Sequence, residues 1–292
     1  MLVRASGDRD EWGAGRDPVA AALRHVGSLS QGPPVDASLR VTVNFHPDRL
    51  FDGHPLLEHL AAGAVFRSQL ETCTGNGGLT AHEGGDRWRW EHQMFGGAYD
   101  SAPADVRPTY GSLNHRRRVA GGSVRFGSAH LRLAQSTLGR TTFCYPDSVL
   151  DPAAFGTAEH LGLIDVADAD HRDLLDDYIE AHVHGPLALE SDVEALVLDP
   201  AYRGTDIEGA ASALPFPLEW HHGFRLHVDE LAQHPSFRGA EVVAAGFSVA
   251  VDGWLDARVI GIAARSNTYD PQTVEHLWHC TARFGHPVER SR

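Results

Sequence analysis

Short strand-like runs scattered among helix-like stretches restrict this chain more than any other feature. LRVTVNF at 39–45, RTTFCY at 140–145 and VEALVL at 193–198 carry the β-branched or continuously apolar pattern of strands. The stretches between them are punctuated by Pro and Gly and follow no regular strand–helix–strand rhythm. A doubly wound parallel sheet needs that rhythm, so the pattern selects an α+β architecture. Asp17 and Pro18 mark the start of a helix over 18–28. A short helix is expected over 55–62, with Gly63 just past its end. The stretches 124–133 and 140–145 read as strands, paired as a hairpin around Gly139. Helices are expected over 170–184, with an acidic start, and over 218–232. The segments 87–99 and 241–264 are ambiguous. Asp270-Pro271 opens a last helix through about residue 284. This organisation suggests an N-terminal helix and linker (1–38), a core (39–213) and a helical C-terminal extension (214–292).

Composition removes several mechanisms. The 292 residues are 42% hydrophobic and 22% charged, which suits one large globular domain or two modest ones. A formal net charge of −14 disfavours a sequence-independent grip on nucleic acid. All 25 basic residues are arginine. Without lysine there is no Schiff base, no P-loop lysine and no strand lysine of a kinase. Nineteen histidines leave imidazole in supply for acid–base or metal chemistry. Cys73, Cys144 and Cys280 form no CxxC pair and fit a reducing compartment. Residues 1–12 lack the apolar core of a signal peptide, and no run is long and apolar enough for a membrane span. A cytoplasmic protein without membrane partners is the expectation.

Several constellations bear on chemistry. Gly75, Asn76, Gly77 and Gly78 form the most glycine-dense loop, whose backbone N–H groups suit a phosphate, although without a strand–GxGxxG–helix context a plain turn explains it better. His46 and Arg49 follow directly on the first strand, with Pro47 ending regular pairing between them. Asp192 and Glu194, two residues apart at the entry to an apolar strand, place two carboxylates on one face. His182, His184, His221 and His222 are an alternative set of metal ligands, though their spacing matches no established zinc motif. Cys144 reads as strand packing. Arg116, Arg117 and Arg118 read as a solvated loop able to steer an anion. Ser128 in FGSAH is not a nucleophile elbow.

The run VTVNFHPDR, LLEHLAAG, TCTGNGGLTA, WEHQMFGGAYD, RPTYGSLN, RFGSAHLRL, RTTFCYPDS, DVEALVLDP resembles a bacterial family of uncharacterised proteins over roughly 39–205. The order of features also resembles the ADP-ribosyltransferase superfamily. A strand ending in His or Arg, a short helix ending in Gly and a Gly-containing loop come first. A strand bearing Tyr or Ser and a late strand bearing Glu follow. That resemblance implies a mixed or antiparallel β core with flanking helices, and NAD as a substrate without a metal. It implies Glu194, Asp192 and Tyr110 as catalytic residues, with Tyr110 stacking on nicotinamide. It implies that His46, Arg49, the 75–78 loop and Ser128 bind the dinucleotide. The acceptor is left open. His-Pro-Asp here replaces the superfamily's His-Gly-Thr/Ser, and Asp192 replaces its usual first acid or amide. A metal-dependent hydrolase and a non-catalytic nucleotide-binding module are the alternatives.

Overall fold

The computed structural model describes residues 17–51, 53–63, 65–72, 80–266 and 268–287. Its centre is a sheet of eight strands: β1 (Val41–Phe45), β2 (Thr109–Leu113), β3 (Ala129–Leu133), β4 (Thr141–Tyr145), β5 (Ala154–Thr157), β6 (Ile179–Val183), β7 (Val193–Leu198) and β8 (Leu218–Trp220). Their order across the sheet is β8-β7-β3-β1-β2-β6-β4-β5. Every pairing is antiparallel except β7 with β8, which is parallel. The helices of seven or more residues are α1 (Pro18–Leu29), α2 (Leu56–Ala62), α3 (Asp86–Met94), α4 (Leu163–Ala169), α5 (Asp206–Ser212), α6 (Ala240–Val249), α7 (Ala257–Arg265) and α8 (Pro271–Phe284). The protein is therefore α+β with a mostly antiparallel sheet. Among the described residues no helix is long and apolar enough to cross a membrane.

Strand alternation sorts the two sheet faces by chemistry. One face presents Val41, Val43, Phe45, Leu131, Leu113, Ile179, Ala181, Phe143, Leu196 and Leu198, all in one continuous core. Leu57 and Leu60 of α2, Leu163 and Ala167 of α4 and Ile207 and Ala211 of α5 join that core. The opposite face presents Thr42, Asn44, His130, Tyr110, Ser112, Thr142, Cys144, Glu180 and His182. Burying so many polar groups requires partners for them. The 114–127 loop supplies part of the cover: Asn44 donates to the Ala120 and Gly127 carbonyls, and Thr42 accepts from the Gly122 N–H. Gly127 allows the close approach, since a Cβ there would lie 2.0 Å from the Phe45 carbonyl carbon. A second, smaller core of Ala22, Val26, Met94, Phe95 and Tyr99 seals α1 and α3 against Cys144.

Several helix ends follow the sequence directly. Asp17 caps α1 by accepting from the Val19 N–H at 3.0 Å, with Pro18 in the first turn. Asp270 caps α8 in the same way, through the Thr273 N–H. Gly63 follows α2 in an extended conformation. The segment 87–99 resolves into α3, and 241–264 into α6 and α7, separated by the strand Trp254–Asp256.

Three sequence expectations are corrected. The helix expected over 170–184 is instead the strand β6, preceded by α4. Glu180, His182 and His184 alternate with Ile179, Ala181 and Val183, a period of two that overrides the acidic helix-start signal. The stretch 218–232 is not one helix but β8, the strand Arg225–His227 and a single turn, Val228–Leu231. Gly223, with φ of 75°, breaks it. β3 and β4 do not form a hairpin: β3 pairs with β1 and β7, and β4 with β5 and β6. The sheet also runs through β8, across the division drawn at 213/214, and α1 packs on the sheet through Ala22 and Val26.

Candidate functional site

The polar face gathers its charges around Tyr110, Glu180 and α3. In register, Tyr110 lies opposite His182 and Ser112 opposite Glu180, with Cys144 opposite Glu180 on the other side. α3 lays Arg87 and Glu91 over these strands. The Arg87 guanidinium sits 4.1 Å from the centre of the Tyr110 ring and donates to Ser148 Oγ at 2.8 Å. Ser148 Oγ in turn donates to Glu180 Oε2 at 3.0 Å. Tyr110 donates its hydroxyl to Glu91 Oε1 at 2.9 Å, while Arg107 pairs with Glu91 Oε2. His182 Nε2 lies 3.0 Å from Glu180 Oε1.

Burial alone would push the Glu180 carboxyl up. The hydrogen bond with His182, the Arg87 charge and Ser148 outweigh it and hold the carboxyl below its ordinary range. Glu180 is therefore an ionised carboxylate in the interior. Burial raises Glu91 instead, against the opposing pull of Arg107. Burial also lowers His182 and drives the Cys144 thiol well up.

A cavity of about 280 Å³ opens on this cluster, lined by Asn44, Tyr110, Arg87, Glu180, Ser123 and Asp147. Leu56, His59 and Leu60 of α2 and Val65, Phe66 and Gln69 after it form part of its wall. Asp147 is bound by the Tyr178 hydroxyl. A second cavity of about 340 Å³ shares Arg49, Leu50 and Phe126 with the first. His46, Asp48, Arg125, Arg265 and Trp278 wall it. His46 is held edge-on to Trp278, and burial lowers it to about 4.

The residues singled out from sequence divide accordingly. Tyr110 and Arg49 line the first cavity, and His46 and Arg49 the second. Glu194 and Asp192 line neither. Glu194 pairs with Arg40 at 2.8 Å and with Arg132, one-third exposed on β7, four strands away from β6. Asp192 accepts from Arg140 and from the Ala188 N–H, which fixes the turn before β7. The two therefore do not form a paired acidic site. Ser128 is buried outside both cavities, its carbonyl accepting from His221 Nε2 at 2.7 Å. The four histidines do not converge as a ligand set. His184 bonds Tyr99 and Thr142, His221 bonds Ser128 and the Gly223 N–H, and His222 packs on Phe224. Arg116 and Arg118 clamp Asp177 rather than a solvated anion, and Arg117 pairs with Asp36. Gly75, Asn76, Gly77 and Gly78 lie outside the described residues.

Arg87, Glu91, Asp147 and Glu180 escaped the sequence reading. The available signal was the two-residue period of Glu180, His182 and His184, masked by the acidic helix-start pattern before it. Arg107 is 2% exposed and has its one carboxylate partner in Glu91 among the described residues. Glu91→Ala, which leaves that charge unpaired, is expected to cost about 3–5 kcal/mol. A urea titration checks this, and a loss below about 1 kcal/mol would contradict the buried pair.

The geometry defines an α+β protein with a charged, partly enclosed site at the centre of its sheet. The chain belongs to the family described as proteins of unknown function, DUF3626, which it matches over residues 40–169 and 160–283. No curated relative matches it.

Proposed function

We propose that the chain cleaves the nicotinamide glycosidic bond of NAD and passes ADP-ribose to water or another acceptor, with Glu180 as the strand carboxylate. The observation that carries this reading is a buried glutamate, held by Ser148 and facing the Arg87 charge, in the wall of a cavity. Ser148, His182 and Arg87 hold that carboxylate in place, and a fixed anion at a cavity wall suits a cation that forms during reaction. As the C–N bond breaks, nicotinamide leaves with the bonding pair, and the ribose C1′ becomes oxocarbenium-like (compare). A carboxylate fixed against that centre stabilises the transition state more than the ground state. The acceptor then bonds to C1′ and releases its proton to solvent. The scheme needs neither lysine nor metal.

Neighbouring strands carry the residues the reading uses. β1, which leads to His46 and Arg49, lies beside β2 with Tyr110, and β2 lies beside β6 with Glu180. The late strand glutamate is thus reassigned from Glu194 to Glu180. The role of Tyr110 also changes. Arg87 covers its ring, so Tyr110 holds Glu91 and Arg87 in place rather than stacking on nicotinamide. Arg49, in the wall common to both cavities, suits a pyrophosphate.

The test is chromatographic detection of nicotinamide released from NAD by the purified chain in the presence of a metal chelator. Steady release is expected. No release together with no NAD-induced thermal shift would overturn the reading, while a shift without release would mark a binding module.

A further inference from the structure

We infer that Cys144, Glu180 and His182 form a site for a divalent, thiophilic metal ion of the zinc class. Their ligating atoms lie close together: His182 Nε2 is 3.0 Å from Glu180 Oε1, and Cys144 Sγ is 3.9 Å from that oxygen and 4.0 Å from that nitrogen. Zinc bonds of ~2.0–2.3 Å at tetrahedral angles separate donors by ~3.3–3.6 Å, so shifts of a few tenths of an ångström close the site. Among the described residues this is the one group of three or more His, Cys, Asp or Glu placed to hold an ion.

The surroundings prepare each donor. Thr142 Oγ1 is 3.2 Å from His182 Nδ1 and turns Nε2 toward the other two. Ser148 occupies Glu180 Oε2 and leaves Oε1 to the cluster. All three side chains are buried, yet Glu180 also lines the first cavity, which gives an ion an entry path. On binding, the thiol proton of Cys144 is lost to solvent. The Nε2 proton of His182 moves to Nδ1, where Thr142 accepts it. Thiolate and carboxylate then neutralise the ion, leaving the Arg87 charge facing a neutral group. The same trio does not make a cysteine nucleophile relay, because Cys144 and Glu180 both meet Nε2, whereas a relay engages both ring nitrogens.

A bound ion would occupy Glu180 Oε1 and neutralise a carboxylate of the cavity wall. Resting on the proposed NAD reading, zinc is then an inhibitor of the activity rather than its cofactor.

Chelator-treated full-length protein titrated with zinc chloride against a chromophoric zinc chelator tests the site. One equivalent bound with submicromolar affinity is expected, and Cys144→Ala should weaken it at least ~30-fold. His222→Ala and Cys280→Ala should leave it unchanged. Cobalt(II) provides a readout on the wild-type chain that needs no variant to fold: a thiolate-to-metal charge-transfer band, retained in Cys280→Ala and lost in Cys144→Ser. Zinc affinity equal in wild type and Cys144→Ala, or a cobalt complex without the thiolate band, would overturn the site. These readouts involve no NAD, so they stand or fall apart from nicotinamide release. Release that zinc leaves untouched while the site is filled would overturn the inhibitory role alone.

Discussion

Glu180→Gln is expected to lower nicotinamide release from NAD by about 10²–10³-fold, whereas Glu194→Gln leaves it within about twofold. The two substitutions remove the same charge from strands of one sheet, and their surroundings separate them. Glu180 is buried, ionised and part of the cavity wall. Glu194 is one-third exposed between Arg40 and Arg132, where an ion pair contributes at most about 1 kcal/mol and nothing to the cavity. Gln retains the shape of Glu180 and its hydrogen bond from Ser148, so the loss should fall on kcat more than on KM. Thermal unfolding of the variant provides the folding control. Equal rates for wild type and Glu180→Gln, or a collapse in Glu194→Gln, would return the assignment to β7.

Between pH 7 and pH 5 the protein is expected to lose at least about 3 kcal/mol of stability. The cause is a set of buried, neutral histidines. Burial lowers His130 to about 3, His221 to about 4 and His279 to about 3, from 6.5 in the unfolded chain. Below pH 6.5 the unfolded chain takes up protons that the native state refuses. Each of the three therefore costs about 2 kcal/mol by pH 5. His182 and His184, also lowered by burial, act in the same direction. Asp199 opposes them. Burial raises it to about 7, so its native protonation returns about 2 kcal/mol over the same range. Asp48 and Asp147, raised by burial as well, share its sign. The histidines prevail, and urea midpoints should fall on acidification. His279 offers a sharper check, since neither ring nitrogen has a hydrogen-bond partner. His279→Leu removes a proton sink without removing a bond, and the acid slope should flatten. A midpoint independent of pH from 5 to 7 would contradict the burial of these histidines in their neutral form.

Much of the fold was legible from local signals. β1 and β7 are apolar runs with clear ends, and α1 and α8 are announced by Asp–Pro starts whose caps form as expected. The architecture class followed from the interspersed elements. What escaped was long-range pairing. β3 and β4 are close in sequence but separated in the sheet by β1, β2 and β6, and no local pattern encodes that insertion. β6 was missed because Asp170, Asp173, Asp176 and Asp177 imitate the first turn of a helix. In fact Asp173 and Asp177 bind arginines from other elements: Asp173 meets Arg283, and Asp177 meets Arg116 and Arg118. Of the site, His46, Arg49 and Tyr110 were visible because they flank strand ends or carry aromatic chemistry. Glu180 hid inside the misread strand, and Glu194 drew attention by its spacing although its neighbours are arginines that neutralise it. Spacing places carboxylates on a face; only the fold decides whether that face meets a cavity or solvent.

On the proposed function, the cavity on the polar face of the sheet holds NAD with its ribose against Glu180. The most direct measurement is a crystal structure of Glu180→Gln saturated with NAD, since this variant should bind without turning over. The dinucleotide is expected in the cavity between α2 and α3, its nicotinamide ribose against the substituted side chain and its pyrophosphate near Arg49. A dinucleotide bound beside Glu194, or none at saturating concentration, would contradict it.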